Sequence, residues 1–149
     1  MKIYLGCDHQ GARIKEEVKR YIKSNGFDIE VSALDNYDTD DYPDFAYDVC
    51  QNVLNNNGLG ILICGSGIGM SIAANKVKGI RCARVVNEDD AFTCKNHNGA
   101  NVIALSVTTP MEEIEKIIDA FLVTKNPNEE RHIRRINKVT AIENGTYHD

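Results

Sequence analysis

Short apolar runs alternate with amphipathic stretches along the whole chain. Five runs rich in β-branched and other apolar side chains predict strands at residues 2–7, 27–32, 59–64, 81–86 and 101–105. The run at 59–64 is continuously apolar and ends in glycines, which is the pattern of a strand buried on both faces. Strands that alternate with helical segments are typical of a parallel sheet with crossover helices, so the pattern predicts an α/β fold with a five-stranded parallel sheet.

The segments between the predicted strands have helical periodicity. In the first of them, four apolar residues fall on one helix face: Ile14, Val18, Tyr21 and Ile22. Further helices are predicted to follow residues 43, 70, 88 and 110, and a last helix is predicted to begin at about residue 128. The acidic segment 35–44 lacks this periodicity, so we expect a surface loop there whose tip could cover a site.

Length and composition predict one compact domain over residues 1–149, because 149 residues with 42% hydrophobic content suffice for one core. The net charge of -5 argues against nucleic-acid binding, which requires a clustered basic surface. No signal peptide or membrane-spanning stretch is evident, so we expect a cytoplasmic protein without membrane contacts. The five cysteines are odd in number and have no Cys-x-x-Cys spacing, which argues against a disulfide framework and a zinc site.

A glycine-rich segment, CGSGIGMS at residues 64–71, lies where the third predicted strand passes into a helix. Backbone N–H groups at a helix N-terminus can converge on an anion, and alternate glycines permit a close approach, so the segment predicts an anion-binding cradle. Two other interpretations are open: a tight turn that needs glycine only for packing, and a dinucleotide site. The dinucleotide fingerprint fits poorly, because its third glycine would fall at Met70 and it belongs to the first strand.

Cys64 is the last residue of that strand and directly precedes the glycines. A helix N-terminus beside a thiol stabilises the thiolate, which is a competent proton acceptor. An ordinary cysteine in this place is a buried apolar filler, since free cysteine is among the most buried residue types. The adjacent glycines favour Cys64 as a catalytic base.

Asp8 and His9 directly follow the first predicted strand. Ligands of open α/β sheets bind at the carboxyl ends of the strands, so both side chains are expected to face the same crevice as Cys64. A carboxylate and an imidazole side by side can pass protons between hydroxyl groups near neutral pH. Taken alone, Asp8 could equally be a helix N-cap, and His97, beside Asn98 before the fifth strand, could be a solvated loop residue.

Arg131 and Arg135 are four residues apart in the last predicted helix and hence lie on one helix face. Two guanidinium groups in this arrangement can bind a phosphate through several oxygens. The alternative is a solvated basic turn near a helix C-terminus, where cations are favourable.

Together these segments resemble one family, the type B ribose-5-phosphate isomerases of the ribose/galactose isomerase superfamily. The resemblance covers essentially the whole chain and rests on six segments: GCDHQG at 6–11, DYP at 41–43, CGSGIGMSIAANK at 64–76, GIRCA at 79–83, HNGANV at 97–102 and RHIRRI at 131–136. It implies a Rossmann-like three-layer sandwich that interconverts ribose 5-phosphate and ribulose 5-phosphate, a step of the pentose phosphate pathway, without a metal or organic cofactor. It also implies a homodimer, with assembly to a tetramer left open. The active site would draw on both subunits, and the C-terminal helix from about residue 128 would pack on the partner subunit.

The resemblance implies a role for each motif. Cys64 matches the catalytic base, and His97 with Asp8 matches the pair that opens the furanose ring. Some members use a glutamate further along instead of the cysteine, but Ser71 or Ile72 stands there in this chain, so Cys64 is the expected base. The remaining matches bind the substrate: the phosphate ligands His9, Arg131 and Arg135, and the pocket residues Tyr42 and Asn98.

We also expect the cradle to take part in the chemistry. Its backbone N–H groups are predicted to hold the negative charge of an enediolate, through Gly65, Gly67, Ile68 and Gly69. Ser66 is predicted to relay a proton between the two oxygens of that intermediate. There is one departure from the family: many members have an arginine that reaches the phosphate across the dimer, and the uncharged Thr108 stands in its place.

Two alternative functions remain open. An isomerase of allose 6-phosphate, galactose 6-phosphate or a free aldose would fit the missing arginine, although the pair His97 and Asn98 favours the pentose phosphate. A non-catalytic sugar-phosphate-binding module would use the cradle and the arginines, but it has no need of Cys64, His97 and Asp8 together.

Overall fold

Five parallel strands form one sheet in the computed structural model, which describes residues 1–148. The strands are β1 (Lys2–Cys7), β2 (Asp28–Val31), β3 (Leu59–Cys64), β4 (Cys82–Arg84) and β5 (Val102–Ser106). Their order across the sheet is β2-β1-β3-β5-β4. In the central pair of β3 and β5, Gly60 is in register with Val102 and Cys64 with Ser106. The predicted five-stranded parallel sheet is confirmed.

Helices connect all of these strands. After a 3-10 helix (Gly11–Ile14), the α-helices are α1 (Lys15–Ser24), α2 (Tyr42–Asn56), α3 (Ile68–Asn75), α4 (Glu88–Asn96), α5 (Met111–Val123) and α6 (Glu130–Asn144). α3 begins earlier than predicted, because Gly67 already supplies the turn out of β3. β4 has three residues instead of the six predicted, because it is an edge strand that pairs only with β5.

Apolar side chains fill both faces of the sheet. On one face, strand residues such as Leu5 and Ile63 pack against α1, α4 and α5. On the other face, α2 and α3 cover Tyr4, Leu62 and Cys64. Each fully buried large aliphatic side chain stabilises such a core by about 1.5–3 kcal/mol relative to its exposed state. Helices on both faces make a three-layer sandwich, which confirms the predicted Rossmann-like class.

The two ends of the strands, at opposite sides of the sheet, carry different groups. β1, β3 and β5 end side by side at Cys7, Cys64 and Ser106, and we call this the carboxyl edge. The opposite edge, which we call the amino edge, receives the loop 97–101 that leads into β5 and the segment between α5 and α6. A parallel strand of five residues spans about 17 Å. Side chains at the carboxyl edge and the amino edge of one chain are therefore too far apart to contact the same small ligand.

The last helix, α6, is mostly exposed. Among its described residues only His132 is buried, and Ile133, Val139 and Ile142 are exposed apolar side chains. Near its end, the carboxylate of Glu143 accepts the N–H of Gly79. Across residues 1–148, every helix falls short of the length and apolar character that crossing a bilayer requires.

Candidate active site

The turn between β3 and α3 brings backbone N–H groups to the carboxyl edge. Gly67 has a φ of 78°, a left-handed conformation that glycine adopts without strain. A Cβ atom there would lie 3.0 Å from the carbonyl carbon of Leu105, so the turn sits directly on β5. The N–H of Gly67 points back to the end of β3 and donates a hydrogen bond to Sγ of Cys64 at 3.1 Å.

Cys64 accepts the hydrogen bond from this turn. It is 5% exposed and packs in the core cluster beneath α2 and α3. Its burial fits an apolar filler, but a filler has no need of the hydrogen bond from Gly67, and a sulfur anion accepts such a bond better than a thiol does. Burial raises the pKa of the Cys7 and Cys50 thiols to about 12 and that of Cys94 to about 11. These three thiols are therefore protonated at neutral pH and are poor bases.

Neighbouring side chains hold the rest of the cradle. Oγ of Ser66 accepts the N–H of Ile68 at 3.1 Å, which leaves the hydroxyl hydrogen free to donate. Oγ of Ser106 donates to the carbonyl of Gly65 at 2.7 Å. The N-cap residue Gly67 has no side chain to cap α3, so N–H groups of its first turn beyond Ile68, including that of Gly69, have no intrahelical partner at the carboxyl edge.

Two of the predicted oxyanion donors already have a hydrogen-bond acceptor within the turn. The N–H of Gly67 serves the sulfur, and that of Ile68 serves Ser66. Gly69 lies against Tyr42, since a Cβ at Gly69 would be 2.7 Å from the tyrosine ring. Tyr42 is the first residue of α2 and is 40% exposed, so its ring forms a wall of the cradle.

Asp8 closes the turn after β1. Its side chain is almost fully buried, and Oδ1 accepts the N–H groups of Gln10 and Gly11 at 3.0 and 2.9 Å. The helix-capping interpretation therefore matches the structure. The other oxygen, Oδ2, has no hydrogen-bond partner within residues 1–148, so capping leaves one carboxylate oxygen for proton transfer.

His9 is held by the acidic loop. Oδ1 of Asp40 accepts the backbone N–H of His9 at 2.9 Å and lies 2.7 Å from its Nδ1, which turns Nε2 away from Asp40. The hydrogen bond to Asp40 raises the pKa of the His9 imidazole above 6.5. Burial opposes ionisation of Asp40, but hydrogen bonds from Asn36, His9 and Tyr37 outweigh it and lower the pKa of Asp40 to about 2. The contact between the two side chains therefore favours the imidazolium form of His9 and the ionised carboxyl of Asp40.

Asp40 was not predicted from the sequence as the partner of His9. The segment 35–44 contains five aspartates, and nothing in their order says which carboxylate meets His9. Asn36 completes the arrangement by donating to the carbonyl of Cys7 at 2.8 Å, which ties the loop to β1. Atoms of Asp8, His9 and Asp40 that could bind a metal ion lie within 4.8 Å of one another. The hydrogen bond between His9 and Asp40 explains why two of these three side chains lie close together.

His97 and Asn98 lie at the amino edge. His97 follows the last residue of α4 and stacks on His132 of α6, with ring centroids 4.3 Å apart and planes inclined by 15°. Arg81 holds this loop by donating to the carbonyls of Asn98 and Gly99 at 2.9 and 3.0 Å. Within one chain, His97 is therefore separated from Cys64 by about the length of a strand.

His132 is buried, which was not predicted from the sequence. Its Nε2 is the one buried side-chain N or O atom in residues 1–148 that lacks a hydrogen-bond partner. Burial, Arg131, His97 and Arg135 together lower the pKa of its imidazole, which favours the neutral ring. The available signal was its place inside the basic motif RHIRRI, which says nothing about burial.

Arg131 and Arg135 lie near the start of α6, also at the amino edge, and both are exposed. Arg131 contacts Glu129, whereas no carboxylate of residues 1–148 lies within 4.0 Å of Arg135. The alternative of a basic turn at a helix C-terminus is wrong, because the arginines occupy the first two turns. Cations are unfavourable at the positive end of a helix dipole, so an anionic ligand would stabilise this arrangement.

One chain therefore presents two half-sites. The carboxyl-edge half-site contains the cradle and the residues around it: Asp8, His9, Tyr42, Cys64, Gly65, Ser66, Gly67, Ile68 and Gly69. The amino-edge half-site contains His97, Asn98, Arg131 and Arg135.

The carboxyl edge thus places a cysteine sulfur beside an amide cradle, with carboxylate and imidazole side chains after the neighbouring strand β1. The model of the family described as Ribose/Galactose Isomerase matches residues 3–139. The chain belongs to the ribose/galactose isomerase family.

Individual relatives narrow the assignment. A Mycoplasma genitalium protein named "Probable ribose-5-phosphate isomerase B" is 42% identical over 149 residues, which cover 97% of each chain. The structure of Trypanosoma brucei type B ribose 5-phosphate isomerase is 41% identical and covers 95% of this chain and 97% of its own, with a TM-score of 0.90. The crystal structure of ribose-5-phosphate isomerase B from Mycoplasma genitalium with bound ribulose-5-phosphate is 39% identical and covers 96% of both chains, with a TM-score of 0.88. The resemblance to the type B ribose-5-phosphate isomerases is confirmed.

Proposed function

We propose that this chain is an aldose–ketose isomerase that interconverts ribose 5-phosphate and ribulose 5-phosphate in the cytoplasm. The observation that carries the proposal is the hydrogen bond from Gly67 to Sγ of Cys64 at the edge of an amide cradle. It is supported by the Mycoplasma genitalium relative, whose structure contains ribulose-5-phosphate. The reaction moves protons within one molecule, and it requires no external oxidant, metal or organic cofactor.

The first step opens the furanose ring. Asp8 and His97 move the proton of the C1 hydroxyl to the ring oxygen, and the bond between C1 and that oxygen breaks. The product is the open-chain aldehyde. A positioned acid or base contributes about 10²–10⁴ in rate to such a step.

The second step shifts the carbonyl. The Cys64 thiolate takes the proton from C2, and the electrons of the broken C–H bond form an enediolate with its negative charge on O1. N–H groups of the cradle stabilise that charge, and a single such donor is worth about 10²–10³ in rate. Ser66 relays the proton of the C2 hydroxyl to O1, and Cys64 returns its proton to C1 to give ribulose 5-phosphate.

The proposed mechanism needs two copies of the chain. Cys64 and His97 lie at opposite edges of one sheet, so His97 must come from a second copy if both act on one sugar. The same holds for the phosphate, which we assign to His9 of one copy and to Arg131 and Arg135 of the other. We therefore propose a homodimer in which the carboxyl-edge half-site of each chain meets the amino-edge half-site of its partner.

Exposed apolar side chains support this association. Ile68 and Ile72 on α3 are 50% and 56% exposed, and α6 exposes Ile133, Val139 and Ile142. Apolar groups of this size on a soluble surface are typical of protein contacts when they cluster. We accordingly propose that α6 packs on the partner subunit.

A direct isomerase assay tests the activity. Purified protein is given ribose 5-phosphate, allose 6-phosphate, galactose 6-phosphate and free ribose, and we expect turnover to be fastest on ribose 5-phosphate. Dialysis against a chelator should leave that rate unchanged. Faster turnover of a six-carbon phosphate or a free aldose would move the substrate assignment to the alternative that Thr108 suggests.

Solvent exchange separates an enzyme from a binding module. An isomerase that passes through an enediolate incorporates deuterium from D₂O at C2 of ribose 5-phosphate, as seen by NMR. A protein that binds the sugar phosphate without exchange or turnover would reject the proposed reaction.

A further inference from the structure

Arg84, the last residue of the edge strand β4, contacts the cradle from the side. Its Nε donates to the carbonyl oxygen of Ser66 at 2.9 Å, across the end of β5. Arg84 is exposed, and no carboxylate of residues 1–148 lies within 4.0 Å of its guanidinium. Its charge is therefore not used in an ion pair, and its hydrogen bond goes to the backbone of the turn.

One peptide group connects Arg84 to the sulfur. The carbonyl of Ser66 and the N–H of Gly67 belong to the same planar peptide unit. Its oxygen accepts from Arg84, and its N–H donates to Sγ of Cys64 at 3.1 Å. A donor at one end of a hydrogen-bond chain strengthens the next bond by about 10–30%, and the positive charge adds to this polarisation.

The preceding peptide is held in a similar way by an uncharged group. Oγ of Ser106 donates to the carbonyl of Gly65 and lies 2.6 Å from Oγ1 of Thr108. The carbonyls of Gly65 and Ser66 are thus both held from the side of β5 and β4. Because Thr108 adds no charge here, the positive charge on this part of the turn comes from Arg84.

We infer that Arg84 is a positioning residue for the isomerase reaction and acts on Cys64 through the peptide between Ser66 and Gly67. The inference rests on the proposed role of Cys64 as the base. Arg84 aims and polarises the N–H that stabilises the sulfur anion, and it makes no contact with the substrate in this role. The same hydrogen bond orients Ser66, the proposed proton relay.

An Arg84 variant leaves the other titratable groups near the cradle in place. α3 and the segment 102–110 carry no titratable side chain. Titratable residues on the elements around the cradle include Cys7, Asp8 and His9 at the end of β1, Asp40 beside His9, Lys15 at the start of α1, Tyr42, Asp44 and Cys50 on α2, and Cys82 on β4. A difference in the alkylation rate of Cys64 between the parent and an Arg84 variant therefore reports the effect of Arg84.

The rate of Cys64 alkylation by iodoacetamide tests the inference without an activity assay. Arg84→Met removes the charge and the donor, and Arg84→Lys keeps the charge without the Nε donor. Arg20→Met is the matched control, since Arg20 is an exposed arginine on α1. Mass spectrometry of the Cys64 peptide separates this thiol from Cys7, Cys50, Cys82 and Cys94, whose pKa values burial raises.

We expect Arg84→Met to slow alkylation of Cys64 by about 3- to 10-fold near neutral pH, an effect of the size of one ordinary hydrogen bond, and to move the rise in rate to higher pH. Arg84→Lys should fall between this variant and the parent, and Arg20→Met should match the parent. In the isomerase assay, Arg84→Met should lower kcat by about 10-fold and change KM less than about twofold, as expected of an interaction that acts on the base.

An alkylation profile of Arg84→Met that coincides with the parent, or a change that Arg20→Met reproduces, would overturn the inference. A lower Tm with an unshifted profile would also overturn it, because it would show a structural role only. The alkylation result is independent of the reaction assigned to the enzyme. If Cys64→Ala retained full turnover, the role of Cys64 as the base would fail whatever the Arg84 variants show. If the parent protein showed no isomerase turnover, the proposed function would fail instead.

Discussion

Two residues at the carboxyl edge, Cys64 and His9, are each held by one short-range hydrogen-bond partner. The sulfur of Cys64 receives an N–H at 3.1 Å, and the imidazole of His9 is held by Asp40 at 2.7 Å. The first contact favours a sulfur anion, and the second favours an imidazolium with Nε2 directed away from its carboxylate. The proposed base and the proposed phosphate ligand are thus held by different neighbours at the same edge.

Replacing Cys64 tests the base. We expect Cys64→Ala to lower kcat for ribose 5-phosphate by about 10²–10⁴ while substrate binding persists, because the phosphate ligands remain. Steady-state kinetics and isothermal titration measure the two effects. The control is Cys50→Ala, which removes a buried sulfur of the same core cluster outside the cradle and should retain turnover. A Cys64→Ala enzyme with near-parental kcat would contradict the assignment.

Removing the partner of His9 should change the pH dependence of substrate binding. Asp40 raises the pKa of His9, so the imidazolium persists above pH 6.5 and phosphate affinity falls only as pH rises through the raised value. In Asp40→Asn this loss should begin closer to pH 6.5, and KM at pH 7.5 should rise by about 3- to 10-fold with little change in kcat. Asp35→Asn, an exposed site in the same loop, is the control. Identical pH profiles of KM for both variants would rule out the pairing.

The same pair affects stability in a defined pH window. The raised pKa of His9 contributes stability that is complete below pH 6.5 and is lost as pH rises through the folded-state value. The lowered pKa of Asp40 contributes stability that is complete above pH 3.8 and is lost as pH falls toward about 2. Both contributions are therefore present together between these limits.

At the scale of elements, the strand β3, the turn and the helix α3 act as one unit. The strand ends at Cys64, and the N–H of Gly67 in the turn donates a hydrogen bond to its sulfur. The helix that follows has N–H groups in its first turn without an intrahelical hydrogen-bond partner. The left-handed φ of Gly67 joins these parts, because few other residues adopt it without strain.

Gly67→Ala tests this unit. A non-glycine residue at positive φ costs about 1–2 kcal/mol, which lowers Tm by about 2–8 °C in a chain of this length. Gly26→Ala is the control, because Gly26 has a φ of 85° and a Cβ there would meet nothing within 4 Å. We expect similar or larger loss of Tm in Gly67→Ala and a fall in kcat that Gly26→Ala does not share. Equal kcat in the two variants would show that the turn serves the fold alone.

At the scale of the whole molecule, the half-sites lie at opposite edges of one sheet. A parallel sheet forces this arrangement, because every strand ends at the same edge and every connection returns to the other. The exposed start of α6 and its apolar side chains at Ile133, Val139 and Ile142 give a second copy a surface to meet. A monomer of this fold would hold all the proposed groups without assembling them on one substrate.

Mixing two inactive variants tests the shared site. Cys64→Ala and His97→Ala each damage both sites of their own homodimers. A mixed dimer contains one site with intact Cys64 and intact His97, so co-expression in equal amounts should restore about a quarter of parental kcat if subunits pair at random. The control is a mixture of Cys64→Ala with Ser66→Ala, which places both changes in the same half-site. Recovery in neither mixture would exclude a site built across the dimer.

The order of strands and helices, the glycine turn and the placement of Asp8, His9 and Cys64 after their strands could be predicted from the sequence. They depend on local periodicity and on the conformational freedom of glycine, which act between residues close together in the chain. The same locality explains why the family motifs could be recognised: all but RHIRRI at 131–136 lie within about a dozen residues of one strand end.

Only the tertiary structure selected Asp40 as the partner of His9, buried His132 beneath His97 and brought Arg84 to the carbonyl of Ser66. Each of these contacts joins segments far apart in the chain, and it depends on which strands are neighbours and in what register. The short edge strand β4 and the location of the arginines at the start of α6 have the same origin. Hydrophobic periodicity determines which face of an element is buried, but it does not determine which polar groups meet once the layers are packed.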